Sequence, residues 1–165
     1  NAKKLQIHPD SIIAYGWSAG AHLAACTAVF PAVDSVSNVS SVPNALVLFS
    51  PALSVVQDGW FKRLLLADKD PLDYSPAENI TGKMPPSIIV VGRTDTVTPI
   101  HEAELFHQNM LKTNNTSILK IYDGVGHLFT PSNQPDNGMP NPDQKIEAQA
   151  TRDIEFFLQK LGFLD

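Results

Sequence analysis

Ile12-Ile13-Ala14-Tyr15-Gly16-Trp17-Ser18-Ala19-Gly20-Ala21-His22-Leu23-Ala24-Ala25 opens on β-branched residues, passes through a glycine-flanked serine and leaves in an alanine-rich run. Isoleucine favours a strand and alanine a helix, so the segment predicts a strand that reverses into a helix at Ser18. G-x-S-x-G in that setting is the nucleophile-elbow pattern, in which a strained middle residue stands its hydroxyl above the sheet. Glycines two positions to either side are expected to remove side chains that would clash in so tight a reversal. The amide of Ala19, at the positive end of the new helix, is then placed to face an oxyanion.

Outward from this turn the chain continues to alternate. Ala45-Leu46-Val47-Leu48-Phe49 and Ser87-Ile88-Ile89-Val90-Val91 are continuous apolar runs of the kind buried on both faces of a parallel sheet, and Ile118 to Tyr122 supplies a further strand. Thr98-Pro99 opens a helix with Ala103, Phe106 and Met110 on one face. Asn141 is the expected N-cap of a final helix, with Pro142 at its first position, Gln144 closing a capping box, and Ile146, Ala150, Ile154, Phe157 and Leu161 along one stripe. Gly162 ends it. Irregular loops are expected over Pro31 to Pro43 and Pro131 to Pro140, and a short helix around Trp60 to Ala67 reads equally as a lid or as core packing. Strand and helix in alternation imply an α/β fold with a mostly parallel sheet flanked by helices.

The 165 residues, 43% hydrophobic, are expected to form one domain over 1–165 with a sizeable core. A net charge of -5 without a Lys/Arg cluster argues against nucleic-acid and anionic-membrane surfaces, and leaves small neutral substrates as the better fit. No apolar run is long enough to span a bilayer. The lone cysteine, Cys26, reads as a small core residue on an apolar helix face.

A serine hydroxyl needs a base that titrates near neutrality. His127, in Tyr122-Asp123-Gly124-Val125-Gly126-His127, follows the last strand in a glycine-flanked loop at the sheet edge where ligand sites collect. His22 reads as a packing residue one turn past Ser18, and His8 lies in a connecting turn. His101 and His107 read as exposed and lie six apart on different helix faces, which also disfavours a metal site. The orienting acid is expected after a strand as well, where Asp95 in Gly92-Arg93-Thr94-Asp95 stands; Asp70 and Asp73 sit in turn contexts, and Asp123 is too near His127 in sequence. The order Ser18, Asp95, His127 is the hydrolase order.

These blocks, with the Pro85-Pro86 lead into the third strand, resemble the nucleophile, acid and base segments of the α/β-hydrolase superfamily, and within it the acetyl-esterase and feruloyl-esterase-like carboxylesterases. The resemblance covers nearly the whole chain and implies catalytic roles for Ser18, Asp95 and His127. Relatives often carry a second glycine where Ala21 stands. They also carry further strands ahead of this region and an HGGG-type loop that gives a second oxyanion-hole amide. Neither is found here, so the chain is expected to be either the C-terminal part of a longer protein or a natural truncation, with the Ile12-Ile13 strand as an open apolar edge suited to self-association.

The resemblance implies a serine carboxylesterase for short-chain acyl esters, among them acetyl or feruloyl esters of carbohydrate, working without a cofactor. A prolyl-oligopeptidase-type serine peptidase shares fold and residue order. A hydrolase-derived module that binds or assembles without turnover is the third expectation. Trp17 is expected either to line the acyl site or to pack in the core. Relatives of this kind are often exported, which leans towards a secreted or periplasmic setting.

Overall fold

Apolar runs with no solvent face need cover on both sides, and the computed structural model, which describes residues 2–33, 39–136 and 139–165, places them at the centre of a parallel sheet. A short helix α1 (Ala2–Leu5) precedes strand β1 (Ile13–Trp17), which turns into helix α2 (Ala19–Val29). Strand β2 (Ala45–Phe49), helix α3 (Gly59–Leu64), strand β3 (Ser87–Gly92), helix α4 (Ile100–Lys112), strand β4 (Ser117–Tyr122) and helix α5 (Gln144–Lys160) follow. The strands lie in the order β1-β2-β3-β4, each pair parallel, so all four carboxyl ends share one edge.

Alternation along β2 and β3 divides the core. Leu46, Leu48, Ile89 and Val91 face α2 and α4, where they meet Ala21, Ala25, Phe106 and Met110. Val47, Phe49, Ile88 and Val90 face α5 and meet Phe129, Ala150, Ile154 and Phe157. Each of the Val, Leu, Ile, Phe and Met side chains among them contributes about 1.5–3 kcal/mol over its exposed state. The helix α2 can lie close on the sheet because its inward face is alanine, at positions 21, 24, 25 and 28. Leu23 points outward, 67% exposed, so it takes no part in that packing. Cys26 is half-buried, which pushes its thiol up to about 11 and keeps it protonated.

Several local expectations shift. Asp143, not Asn141, caps α5: its carboxylate accepts the Lys145 and Ile146 amides, while the Asn141 amide is bound by Thr130 Oγ1, leaving Pro142 outside the helix. The buried stripe of α5 ends at Leu158, because Leu161 is already the C-cap and is part-exposed. Gly162, at φ 75°, then closes the helix, with its own amide on Gln159 O and that of Phe163 on Leu158 O. His107 is part-buried rather than exposed, bonded through Nδ1 to Ser117 Oγ at 3.0 Å. Residues 34–38 of the first expected loop and 137–138 of the second lie outside the described residues. Among the described residues, no helix is long and apolar enough to cross a membrane.

Candidate active site

Each loop at the carboxyl edge is pinned one residue beyond its strand. The Ser18 amide donates to Phe49 O at 2.9 Å, Ser50 to Val90 O at 2.8 Å and Arg93 to Tyr122 O at 2.8 Å. The sheet ladder therefore sets the height at which Ser18, the Asp95 loop and the His127 loop emerge.

Ser18 has φ 52° and ψ -121°, a region that costs a non-glycine residue on the order of 1–3 kcal/mol. The tightness comes from one side only. A Cβ on Gly16 would lie 2.2 Å from Gly20 O, whereas a Cβ on Gly20 would meet open space. The steric demand expected of both glycines thus falls on Gly16 alone. Further positive φ values occur around the same edge, at Ser50 (41°), Leu128 (49°) and Phe129 (62°).

Three side chains distant in sequence converge here. His127 Nε2 lies 3.0 Å from Ser18 Oγ, and His127 Nδ1 lies 3.0 Å from Asp95 Oδ2 and 3.2 Å from Oδ1. With Nδ1 donating to the carboxylate, Nε2 is left as the acceptor for the serine hydroxyl. The Asp95 side chain is wholly buried, and a buried charge must be well bonded to persist. Its oxygens accept the amides of Val97 at 3.0 Å and Thr98 at 2.8 Å and the Thr98 hydroxyl at 2.9 Å.

Thr98 and Asp136 complete the arrangement and were not apparent in the sequence. Thr98 Oγ1 is also within hydrogen-bond distance of Ser50 O and His127 Nδ1, at 3.0 and 3.2 Å, so it ties three loops together. Asp-x-x-Thr ahead of a helix is a local signal for this turn, one that the helix-opening pair Thr98-Pro99 masks. Asp136 accepts the His127 amide on Oδ1 and the Thr96 amide and hydroxyl on Oδ2, each at 3.0 Å. It comes from the Pro/Asn-rich loop, where no periodicity marks a contact.

Ser18, Ala19, His127 and Asp136 line a cavity of about 510 Å³ with Thr96, Val97, Thr98, Trp60 and Phe61. Ala19 is the first residue of α2, so its amide has no intrahelical acceptor. Trp17 lies elsewhere. It packs on Phe49 at 5.8 Å, donates to Tyr15 Oη, and lines a separate cavity of about 240 Å³ with Leu128, Pro140, Pro142 and Glu147. As a β1 residue its side chain leaves the strand beside Ser18 rather than towards the hydroxyl. His22 bonds Ala52 O at 3.0 Å, and burial holds its pKa below the usual value. Asp70 caps a 3-10 turn through the Leu72 amide, and Asp123 pairs with Arg93 on the surface. Among the described residues, no group of three or more His, Cys, Asp or Glu is arranged to hold a metal ion.

The prolyl oligopeptidase family matches the chain over residues 1–163. Solved structures of esterase 2 from the planctomycete Thermogutta terrifontis match 99% of this chain. The form phosphoramylated by tabun is 31% identical with a TM-score of 0.78, and this chain covers 60% of it. The butyrate-bound form is 30% identical with a TM-score of 0.78 and 61% of its length covered. For the form phosphorylated by paraoxon the values are 32%, 0.75 and 58%. This chain therefore spans about 60% of the length of these esterases. No curated protein sequence matches it.

Proposed function

Because the chain belongs to the prolyl oligopeptidase family and has the α/β-hydrolase fold, we propose that it is a serine hydrolase cleaving short-chain carboxylic esters through an acyl-enzyme on Ser18. The observation that carries this reading is the 3.0 Å approach of His127 Nε2 to Ser18 Oγ, with Asp95 bonded to the far nitrogen. His127 accepts the Ser18 proton as Oγ attacks the ester carbonyl, and Asp95 stabilises the imidazolium that results. The Ala19 amide binds the oxyanion. The alcohol leaves with the proton from His127; water, deprotonated by the same nitrogen, then releases the acid.

Support for an ester over an amide comes from the matched planctomycete protein, an esterase seen with butyrate bound. Trp60 and Phe61, ring centroids 5.3 Å apart, give the cavity an aromatic wall suited to an acetyl or feruloyl group on a carbohydrate alcohol. A second reading, peptide hydrolysis, rests on the family match itself. Hydrolysis of p-nitrophenyl acetate and of a proline p-nitroanilide, each beside Ser18→Ala, tests both. Serine-dependent release from the acetate supports the ester reading, release from the anilide alone replaces it with the peptidase, and release unaffected by Ser18→Ala overturns both.

A further inference from the structure

Glu102, in the first turn of α4, is wholly buried, and the chemistry at Ser18 does not use it. Its Oε2 accepts the backbone amides of Leu53 at 2.8 Å and Ser54 at 3.0 Å, just beyond the end of β2. From there a connector runs to the cavity. Ser54 Oγ donates to Glu78 Oε1, the Val56 amide donates to Ser75 Oγ at 3.0 Å, and Asp58 Oδ1 accepts the amides of Trp60 and Phe61 at 2.7 and 3.0 Å. Those last two residues are the aromatic wall facing Ser18. Phe61 also rests on the His22 ring, 5.6 Å between centroids.

The connector is built over charge. Glu102 Oε1, Glu78 Oε2 and Asp58 Oδ2 are each buried without a hydrogen-bond partner. The titratable groups facing Glu102 are Asp58 at the start of α3 and Glu78 on the 3-10 turn at Pro76–Asn79, with His22 of α2 reached through Ala52 and Phe61. No lysine or arginine is ion-paired with the three carboxylates among the described residues. A proton on Glu102 removes one charge from a cluster in which three carboxylate oxygens have no donor of their own. Its loss adds a third negative charge where water cannot screen it.

We propose that Glu102 is the positioning residue for the Trp60–Phe61 wall: neutral, it holds the Leu53–Asp58 connector against α4, and ionised, it repels Asp58 and Glu78 and relaxes the wall away from Ser18. Burial pushes the Glu102 carboxyl up to about 7, with the Asp58 and Glu78 charges adding to the rise and the Ser54 and Leu53 amides opposing it. The change of state therefore falls near neutral pH. Nothing in this inference depends on which bond Ser18 cleaves.

The chain has two tryptophans, so in a Trp17→Phe background Trp60 is the sole indole and reports the wall directly. Its emission maximum is expected to shift to the red with a midpoint near 7. The shift is expected to vanish in Trp17→Phe/Glu102→Gln, where the amide oxygen keeps the two backbone bonds and the NH2 group stands in for the proton. It should survive in Trp17→Phe/His22→Gln. No transition across about pH 5–9 in the parent, or an unchanged one in the Glu102→Gln protein, overturns the proposal. A transition abolished by His22→Gln assigns it to the histidine and overturns it too. Because the readout is spectroscopic, loss of ester hydrolysis would overturn the proposed reaction and leave this result standing.

Discussion

A Cβ on Gly92 would stand 2.4 Å from Gly126 O and 2.5 Å from Val125 O, so the end of β3 and the loop that carries His127 are in backbone contact. Gly92→Ala must push that loop away, at a cost of about 1–3 kcal/mol, and takes His127 with it. Gly20→Ala meets nothing within 4 Å and exchanges a helical glycine for alanine. Thermal melting and fluorophosphonate labelling of Ser18 should thus separate the two: Gly92→Ala loses both stability and labelling, and Gly20→Ala melts no lower than the parent. Equal labelling in the two proteins would mean that the loop adjusts without moving His127.

The strain at Ser18 has its own signature. At φ 52° and ψ -121° a glycine is relieved of the cost that serine bears. Ser18→Gly is expected to be more stable by about 1 kcal/mol and to lose turnover, whereas Ser18→Ala loses turnover without the gain. A Ser18→Gly protein no more stable than Ser18→Ala would place the strain elsewhere in the loop.

Asp136 reaches His127 only through the main chain, by Oδ1 to the His127 amide, and shares the side chain with Thr96. Asp136→Ala frees both loops and is expected to lower kcat about tenfold to a hundredfold by misplacing the imidazole, with KM changed less. Asp136→Asn keeps one acceptor oxygen and should recover part of the loss. Steady-state kinetics on p-nitrophenyl acetate gives the comparison, and a full wild-type kcat in Asp136→Ala would show that the imidazole is held without this anchor.

Glu102 also predicts how stability depends on pH. Its carboxyl is raised from 4.5 to about 7 in the folded chain, so the stabilisation from holding it protonated is complete below 4.5 and is lost as pH rises through 7. That shift corresponds to on the order of 3 kcal/mol. Denaturant melts of the parent should weaken between about pH 5 and pH 8 by more than those of Glu102→Gln, and parallel pH profiles for the two would remove Glu102 as the source.

Most of what positions the site could be read before folding, for identifiable reasons. The strands β2 and β3 are apolar at nearly every position because both faces are covered, and that leaves no alternation to misread. Ser18 is marked by its G-x-S-x-G turn, and Asp95 and His127 by loops that follow strands at the same edge of a parallel sheet, so motif and topology together point to these positions. What escaped was set by tertiary competition. Asn141 and Asp143 are both good caps flanking one proline, and the Thr130 hydroxyl, eleven residues away, decides between them. Asp136 and Thr98 act through bonds to loops distant in sequence, and Trp17 packs on Phe49 in a cavity separate from the one at Ser18.

The edge of the sheet carries the last expectation. Among the described residues β1 pairs with β2 alone, and next to that open edge Tyr15 and Trp17, 50% and 53% exposed, stand on the same face as Phe49. Beside it Leu5, Ile7, Ile12, Val33 and Val39 line a groove of about 830 Å³. An apolar strand with an unpaired row of amides and carbonyls is a template for another strand, and a charge placed on it blocks that pairing. Light scattering on the 165-residue chain is expected to show self-association, which Tyr15→Lys reduces without changing the pH response at Trp60. Association undiminished by Tyr15→Lys would move the contact from the strand edge to the groove, where Ile7→Asp is the corresponding test.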